Sequence, residues 1–186
     1  MKLTIICFFI ILPFTVNCQI NSVEKSQFGV QTGFLGLWLQ NERKITSNVA
    51  LRLEAGLDAS FFGGLFYTET GYVLAPVLTV EPRYYYNLGR RIRKGKKISN
   101  NSGNFLSIKS SYAPNLFTIS NYDNVQKVQN ISLIPTYGIR RHIGNHFNYE
   151  VGLGYGFRHF FDNIGGNRIR ETEAAVNLLL RIGYSF

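Results

Sequence analysis

Between residues 49 and 61 the side chains alternate without a break. Val49, Leu51, Leu53, Ala55, Leu57, Ala59 and Phe61 fall on one face of an extended chain, and Ala50, Arg52, Glu54, Gly56, Asp58 and Ser60 on the other. Residues 147–161 repeat the pattern, with Phe147, Tyr149, Val151, Leu153, Tyr155 and Phe157 opposed to Asn148, Glu150, Gly152, Gly154, Gly156 and Arg158. Residues 131–143 give a third case, and 28–40, 72–86 and 104–118 give weaker ones. Strands of a soluble β-sandwich also alternate, but they average about 5 to 6 residues. The present runs reach the about 9 to 11 residues that a tilted membrane strand requires.

The first residues read as an export signal. Lys2 supplies a positive start, residues 3–16 an apolar stretch interrupted by Pro13, and Val16-Asn17-Cys18 a small-residue cleavage site before Gln19. A membrane anchor needs about 20 apolar residues, more than this run contains. Acylation of Cys18 as a lipoprotein fits poorly with Thr15, Val16 and Asn17 before it. Cleavage after Cys18 removes both cysteines, Cys7 and Cys18, and with them any disulfide, zinc-thiolate or cysteine-nucleophile chemistry. It also removes Lys2, which takes the formal charge from +9 to +8 and leaves a basic chain. The expected organisation is a signal peptide over 1–18, a short extension over 19–26 and one domain over 27–186.

Beyond Gln19 no apolar run is long enough for a membrane helix, so entry into a bilayer would require a closed β-barrel, which also satisfies every backbone group. The last segment carries the alternation to its end: Ala174, Val176, Leu178, Leu180, Ile182, Tyr184 and Phe186 against Ala175, Asn177, Leu179, Arg181, Gly183 and Ser185. Arg181-Ile182-Gly183-Tyr184-Ser185-Phe186 resembles the terminal sorting signal read by the outer-membrane assembly machinery, with Tyr184 two places before Phe186. From about Gln27 to Phe186 the chain is similar to small bacterial outer-membrane barrels of the eight-stranded superfamily, including a poorly characterised branch. Glu81-Pro82-Arg83-Tyr84-Tyr85-Tyr86-Asn87 and Gly138-Ile139-Arg140-Arg141 look like features of that branch. The resemblance implies an all-β, antiparallel, up-and-down transmembrane barrel of about eight strands in the bacterial outer membrane. It brings no catalytic motif.

With the C-terminus on the periplasmic side, counting back places inner turns at 144–146 and near 41–47. Outer loops then fall near 63–71, 115–127 and 162–170. Residues 88–103 are too long for an inner turn. Only seven strands are counted, whereas bacterial single-chain barrels hold an even number. A hairpin hidden within 27–40, around Gly33 or Gly36, is the favoured source of the eighth; a strand within 62–72 is the other.

Inward positions collect Arg52, Glu54, Asp58, Glu81, Arg83, Lys109, Arg140, His142, Glu150, Arg158 and Arg181. An eight-stranded barrel is only wide enough for side chains to fill it, so these charges are expected to pair and plug the lumen. A narrow ion path is the alternative. Glu54 and Glu81 could form an acid–base pair, but Arg52 and Arg83, two residues away on the same faces, favour neutralisation. A lipid-modifying site would need a nucleophile and base, for which His159, Ser60 and Asp162 are the nearest candidates; His159 falls in register with the outward Phe157 and Phe161.

Arg90, Arg91, Arg93, Lys94, Lys96 and Lys97 make the densest basic run. Export argues against nucleic acid as its partner and for a solvated turn or anionic headgroups. Tyr84, Tyr85, Tyr86, Trp38, Tyr72, Tyr149, Phe160, Phe161, Tyr184 and Phe186 sit near strand ends, where interfacial girdles lie. The expected function is structural or surface-interacting and non-enzymatic, with a small channel and a lipid-modifying enzyme as alternatives. The chain is expected to be a monomer that needs no cofactor or metal and whose partners are outer-membrane lipids and, during biogenesis, the assembly machinery.

Overall fold

The computed structural model describes residues 21–62, 71–122, 128–164 and 167–186. The segment read as an export signal, and residues 63–70, 123–127 and 165–166 of the three expected outer loops, lie outside them. The described chain forms β1 (Ser26–Gly33), β2 (Gly36–Lys44), β3 (Val49–Phe62) and β4 (Gly71–Tyr85), then a short helix α1 (Leu88–Arg93) and a 3-10 turn (Ser99–Asn101). There follow β5 (Asn104–Ala113), the two-residue β6 (Ile119–Ser120), β7 (Asn130–Ile143), β8 (Phe147–Ile164) and β9 (Asn167–Ser185).

Every pairing is antiparallel, and each long strand lies beside the next long strand in sequence. The last strand returns to the first: Gly29 stands opposite Ser185 and Gly33 opposite Arg181, which closes the sheet into a ring. β6 adds only to the far end of β4, so the ring itself contains β1, β2, β3, β4, β5, β7, β8 and β9.

The strand missing from the sequence count is the one hidden in residues 27–40. β1 and β2 form a hairpin with Gly33 opposite Gly36 and only Phe34 and Leu35 between them. The hairpin requires glycine at its return: Gly36 has φ of 143°, and a Cβ there would stand 2.1 Å from the Leu57 carbonyl oxygen. Three prolines, Pro76, Pro82 and Pro135, sit in the described strands without breaking the sheet, and at the last two a ladder is interrupted. The β4–β5 ladder lacks pairs between Val80–Ser110 and Arg83–Ser107, around Pro82, and the β7–β8 ladder lacks them between Leu133–Phe157 and Thr136–Gly154, around Pro135. Proline has no amide hydrogen to give, so the ladder pauses and then resumes in the same register.

Three boundaries depart from the expectation. β2 continues through the expected turn at 41–47 as far as Lys44, and the chain reverses over 45–48. Most of the expected outer loop at 162–170 is ladder, running up to Ile164 opposite Asn167. The expected strand 104–118 instead stops at Ala113. In the first two cases the strand runs on where its outward side becomes polar, so backbone pairing persists after apolar alternation has faded.

The distribution of polarity is inverted relative to a soluble domain. Outward residues such as Leu53, Leu78, Leu133, Leu153, Tyr155 and Ile182 are exposed, while among the described residues the buried set is richer in polar and charged side chains than in apolar ones. The apolar cluster that does exist sits at the end of the ring holding the 144–146 turn and the C-terminus. There Leu88 and Ile98, from the segment too long for a turn, pack with Val23, Ala50, Tyr85, Phe105 and Leu179. Residues 88–103 therefore act as a cap on that end.

Candidate functional site: the charged lumen

Inward positions on six of the ring's strands bring a set of arginines and glutamates to one level. Glu150 of β8 is the hub. It accepts hydrogen bonds from Arg52 Nη1 of β3 at 2.7 Å and from Arg83 of β4, Nη1 at 3.0 Å and Nη2 at 3.2 Å. Arg140 Nη1 of β7 lies 3.4 Å from the same carboxylate. Glu42 of β2 accepts from Arg140 Nη1 at 2.9 Å, from the Tyr85 hydroxyl at 2.9 Å and from Asn101 Nδ2 at 2.6 Å.

The remaining carboxylates are held in the same way. Glu81 accepts from Arg83 Nη2 at 2.8 Å and from Ser107 Oγ at 2.6 Å. Glu54 accepts from Arg181 Nη1 at 2.8 Å, and Arg52 Nε lies 2.5 Å from it as a charge contact without hydrogen-bond alignment. Arg52 also donates to Gln31, which passes the network to Asn148 and, through it, to Ser185. Arg52, Arg83, Arg140 and Glu150 have no exposed surface. Charges removed from water to this degree are tolerable only when each is paired and hydrogen-bonded.

The cap is wired to this network. Asn101, one of two non-glycine residues with positive φ (54°) among the described residues, donates to Glu42 and accepts from the Glu24 amide at 2.7 Å. Ser102 Oγ lies 2.6 Å from His142 Nδ1 and accepts from the His142 amide at 3.0 Å, which ties the cap to β7.

Toward the opposite end the lumen opens into a cavity of about 320 Å³. Its polar lining includes Asp58, Lys109, Asn177, Arg158 and Arg181, and its floor is Trp38. The Trp38 indole donates to Asp58 Oδ1 at 2.8 Å while the Arg181 guanidinium lies 3.7 Å above its ring. Lys109 Nζ reaches Asn177 Oδ1 at 3.4 Å. A 320 Å³ space is at the small end of ligand-sized cavities.

The residues singled out in the sequence divide accordingly. Arg52, Glu54, Glu81, Arg83, Arg140, Glu150 and Arg181 meet in the network. Asp58, Lys109 and Arg158 line the cavity beyond it, Arg158 lying 3.7 Å from Glu173 at a half-exposed rim. Glu42 was not among them. It lies beyond the last apolar outward residue of β2, in what reads as a turn, although Gln40, Glu42 and Lys44 continue the inward register. Glu54 and Glu81 are each neutralised by arginine and do not face each other across open space.

The hydrolase candidates do not assemble. Ser60 of β3 and His159 of β8 stand on opposite walls of the ring, and the His159 ring contacts Thr172 Oγ1 at 2.8 Å and packs against Phe161. The Asp162 side chain lies outside the described residues. Two aromatics expected in an outer girdle point inward instead: Trp38 is buried beneath Arg181 and Tyr85 is buried against Phe105. Each spends its polar atom on a lumen carboxylate, which accounts for the position. Tyr72, Tyr84, Tyr86, Tyr149, Tyr184 and Phe186 are on the outside. Neither family models nor curated proteins match the chain in sequence.

Proposed function

We propose that this chain is exported, cleaved after Cys18 and inserted in the bacterial outer membrane as a monomeric eight-stranded barrel. The role is structural or surface-interacting, exerted through its outer loops and rim, with no catalysis and no nucleic-acid partner. The observation carrying this reading is the inversion of polarity: an exposed apolar wall around a lumen of fully buried, mutually paired charges. Such a wall is stable against lipid hydrocarbon and not against water, and a closed barrel leaves no unpaired backbone within the bilayer.

The Glu150 network, together with the cap of Leu88 and Ile98, argues for a closed lumen. Opening an ion path would separate buried charges whose pairing keeps them tolerable. Tyr184 and Phe186 would serve the assembly machinery, and the outward apolar residues would contact outer-membrane lipid. The test is conductance in planar bilayers, using protein already shown to run as a compact heat-sensitive band. Barrels that insert without steady unitary current support the closed reading; a reproducible unitary conductance favours the channel.

A further inference from the structure

At the capped end, on the outer side of the ring, five cations converge on a cavity of about 230 Å³: Arg90, Arg91, Lys94 and Lys96 from the α1 segment and Arg141 from β7, with Tyr86 at its edge. No carboxylate lines it. Among the described residues none of the five is ion-paired, in contrast to the lumen arginines a short distance away. Two of them are fixed by neutral oxygens. Arg141 donates to Asn104 Oδ1 and to the Arg140 carbonyl, both at 2.6 Å, and Arg91 donates to the Lys97 carbonyl at 2.9 Å while its Nε is buried without a partner. Burial and the neighbouring Arg141 both push the Arg91 guanidinium below its ordinary pKa, as expected of cations crowded without a counter-charge.

The surroundings of this cavity are amphiphilic. Asn104 Nδ2 donates to the hydroxyls of Tyr86 at 3.2 Å and Tyr137 at 3.1 Å, which makes a polar shelf on the outer wall. Directly along the wall stand Tyr84 and Leu106, paired in register with each other, and beyond them Ile108; all three are exposed. A phosphate placed among the cations would thus have an apolar track leading away from it on one side. Guanidinium and ammonium groups recognise phosphate oxygens by charge-assisted hydrogen bonds, and basic rims of membrane proteins hold anionic headgroups this way.

We propose that this cavity is a binding site for the phosphate of an anionic phospholipid of the inner leaflet, its acyl chains lying along Leu106 and Ile108. The site rests on the membrane-barrel reading. Its structural anchors are Arg91 and Arg141, while Arg90, Lys94 and Lys96 supply charge without holding the fold, so the latter three can be neutralised together.

The experiment is native mass spectrometry of the full mature chain released from phosphocholine detergent, with equal amounts of phosphatidylglycerol and phosphatidylcholine added. The same sample is run boiled and unboiled on a gel. The expected result is several-fold greater retention of phosphatidylglycerol, lost in the Arg90→Gln/Lys94→Gln/Lys96→Gln variant and unaffected by millimolar inorganic phosphate. Equal retention of the two lipids, or unchanged selectivity in the variant, overturns the site while the heat-sensitive band leaves the barrel standing. Displacement by inorganic phosphate overturns the lipid as the source of the phosphate. Absence of the heat-sensitive band overturns the barrel and the lipid site with it.

Discussion

Glu42 and Arg140 lie 98 residues apart in sequence and on opposite walls of the ring, and they are joined through Arg140 Nη1 and Glu42 Oε2 at 2.9 Å. Arg52 of β3 and Glu150 of β8 make a second such crossing at 2.7 Å. These contacts span the diameter of the sheet rather than joining neighbouring strands, so they fix the barrel's cross-section as well as its charge balance. They also explain why arginine dominates. A guanidinium on a long stem reaches past the axis and can serve two carboxylates at once, as Arg52 serves Glu54 and Glu150.

Removing one partner of such a pair leaves the other charged and buried. Glu42→Leu is therefore expected to destabilise the folded barrel by about 3–5 kcal/mol, measured by urea unfolding in lipid vesicles. The double variant Glu42→Leu/Arg140→Met is expected to lose less than the sum of the two single changes, because it leaves fewer charges stranded. Additive losses would mean that the two side chains are not coupled across the lumen.

The two faces of each strand should respond oppositely to charge. Leu153 is 60 % exposed on the outer wall, midway along β8, and Leu153→Arg is expected to cost about 2–4 kcal/mol in a bilayer. Ser132→Asn, an inward polar change beside the cavity, is expected to shift stability by less than about 1 kcal/mol. Similar losses at both sites would contradict the lipid-facing assignment.

Gly36→Ala tests the hairpin that completes the ring. The added methyl meets the Leu57 carbonyl oxygen at 2.1 Å in a backbone conformation that L residues rarely adopt. A loss of about 1–3 kcal/mol is expected, read in the same unfolding assay. A neutral result would contradict the close approach of β2 to β3 at this return.

The alternation of β3, β7, β8 and β9 was legible because their central outward residues are uniformly apolar, and the hairpin between β1 and β2 could be placed from Gly33 and Gly36. The lower end of β2 was not. Asn41 and Arg43 replace apolar outward residues there, so the period carries no hydrophobic signal and Glu42 passes for part of a turn. The upper ends of β8 and β9 were hidden for the same reason, since on the outward side His159 and its partner Thr172 follow the apolar Phe157 and Ala174. Residues 88–103 could be recognised only as anomalous. Their role as a cap depends on Leu88 and Ile98 meeting Val23, Tyr85 and Phe105, contacts between distant positions that no local pattern encodes. The inward turn of Trp38 likewise depends on Asp58 and Arg181 arriving from other strands.

Phe186 separates folding from assembly. Its side chain is 77 % exposed, while its amide donates to the Phe28 carbonyl at 3.0 Å. Phe186→Ala keeps that bond, so refolding from urea into detergent is expected to be nearly unchanged, whereas the amount reaching the outer membrane of expressing cells is expected to fall. Normal membrane levels would contradict the role given to the terminal Tyr184–Phe186 pair.

The membrane-barrel reading is tested most directly by gel migration of the protein from outer-membrane fractions, boiled against unboiled. A closed ring pinned by buried ion pairs should resist detergent and migrate as a compact species until heated, then shift to its full apparent mass. A soluble periplasmic protein with one position on the gel in both conditions would contradict it.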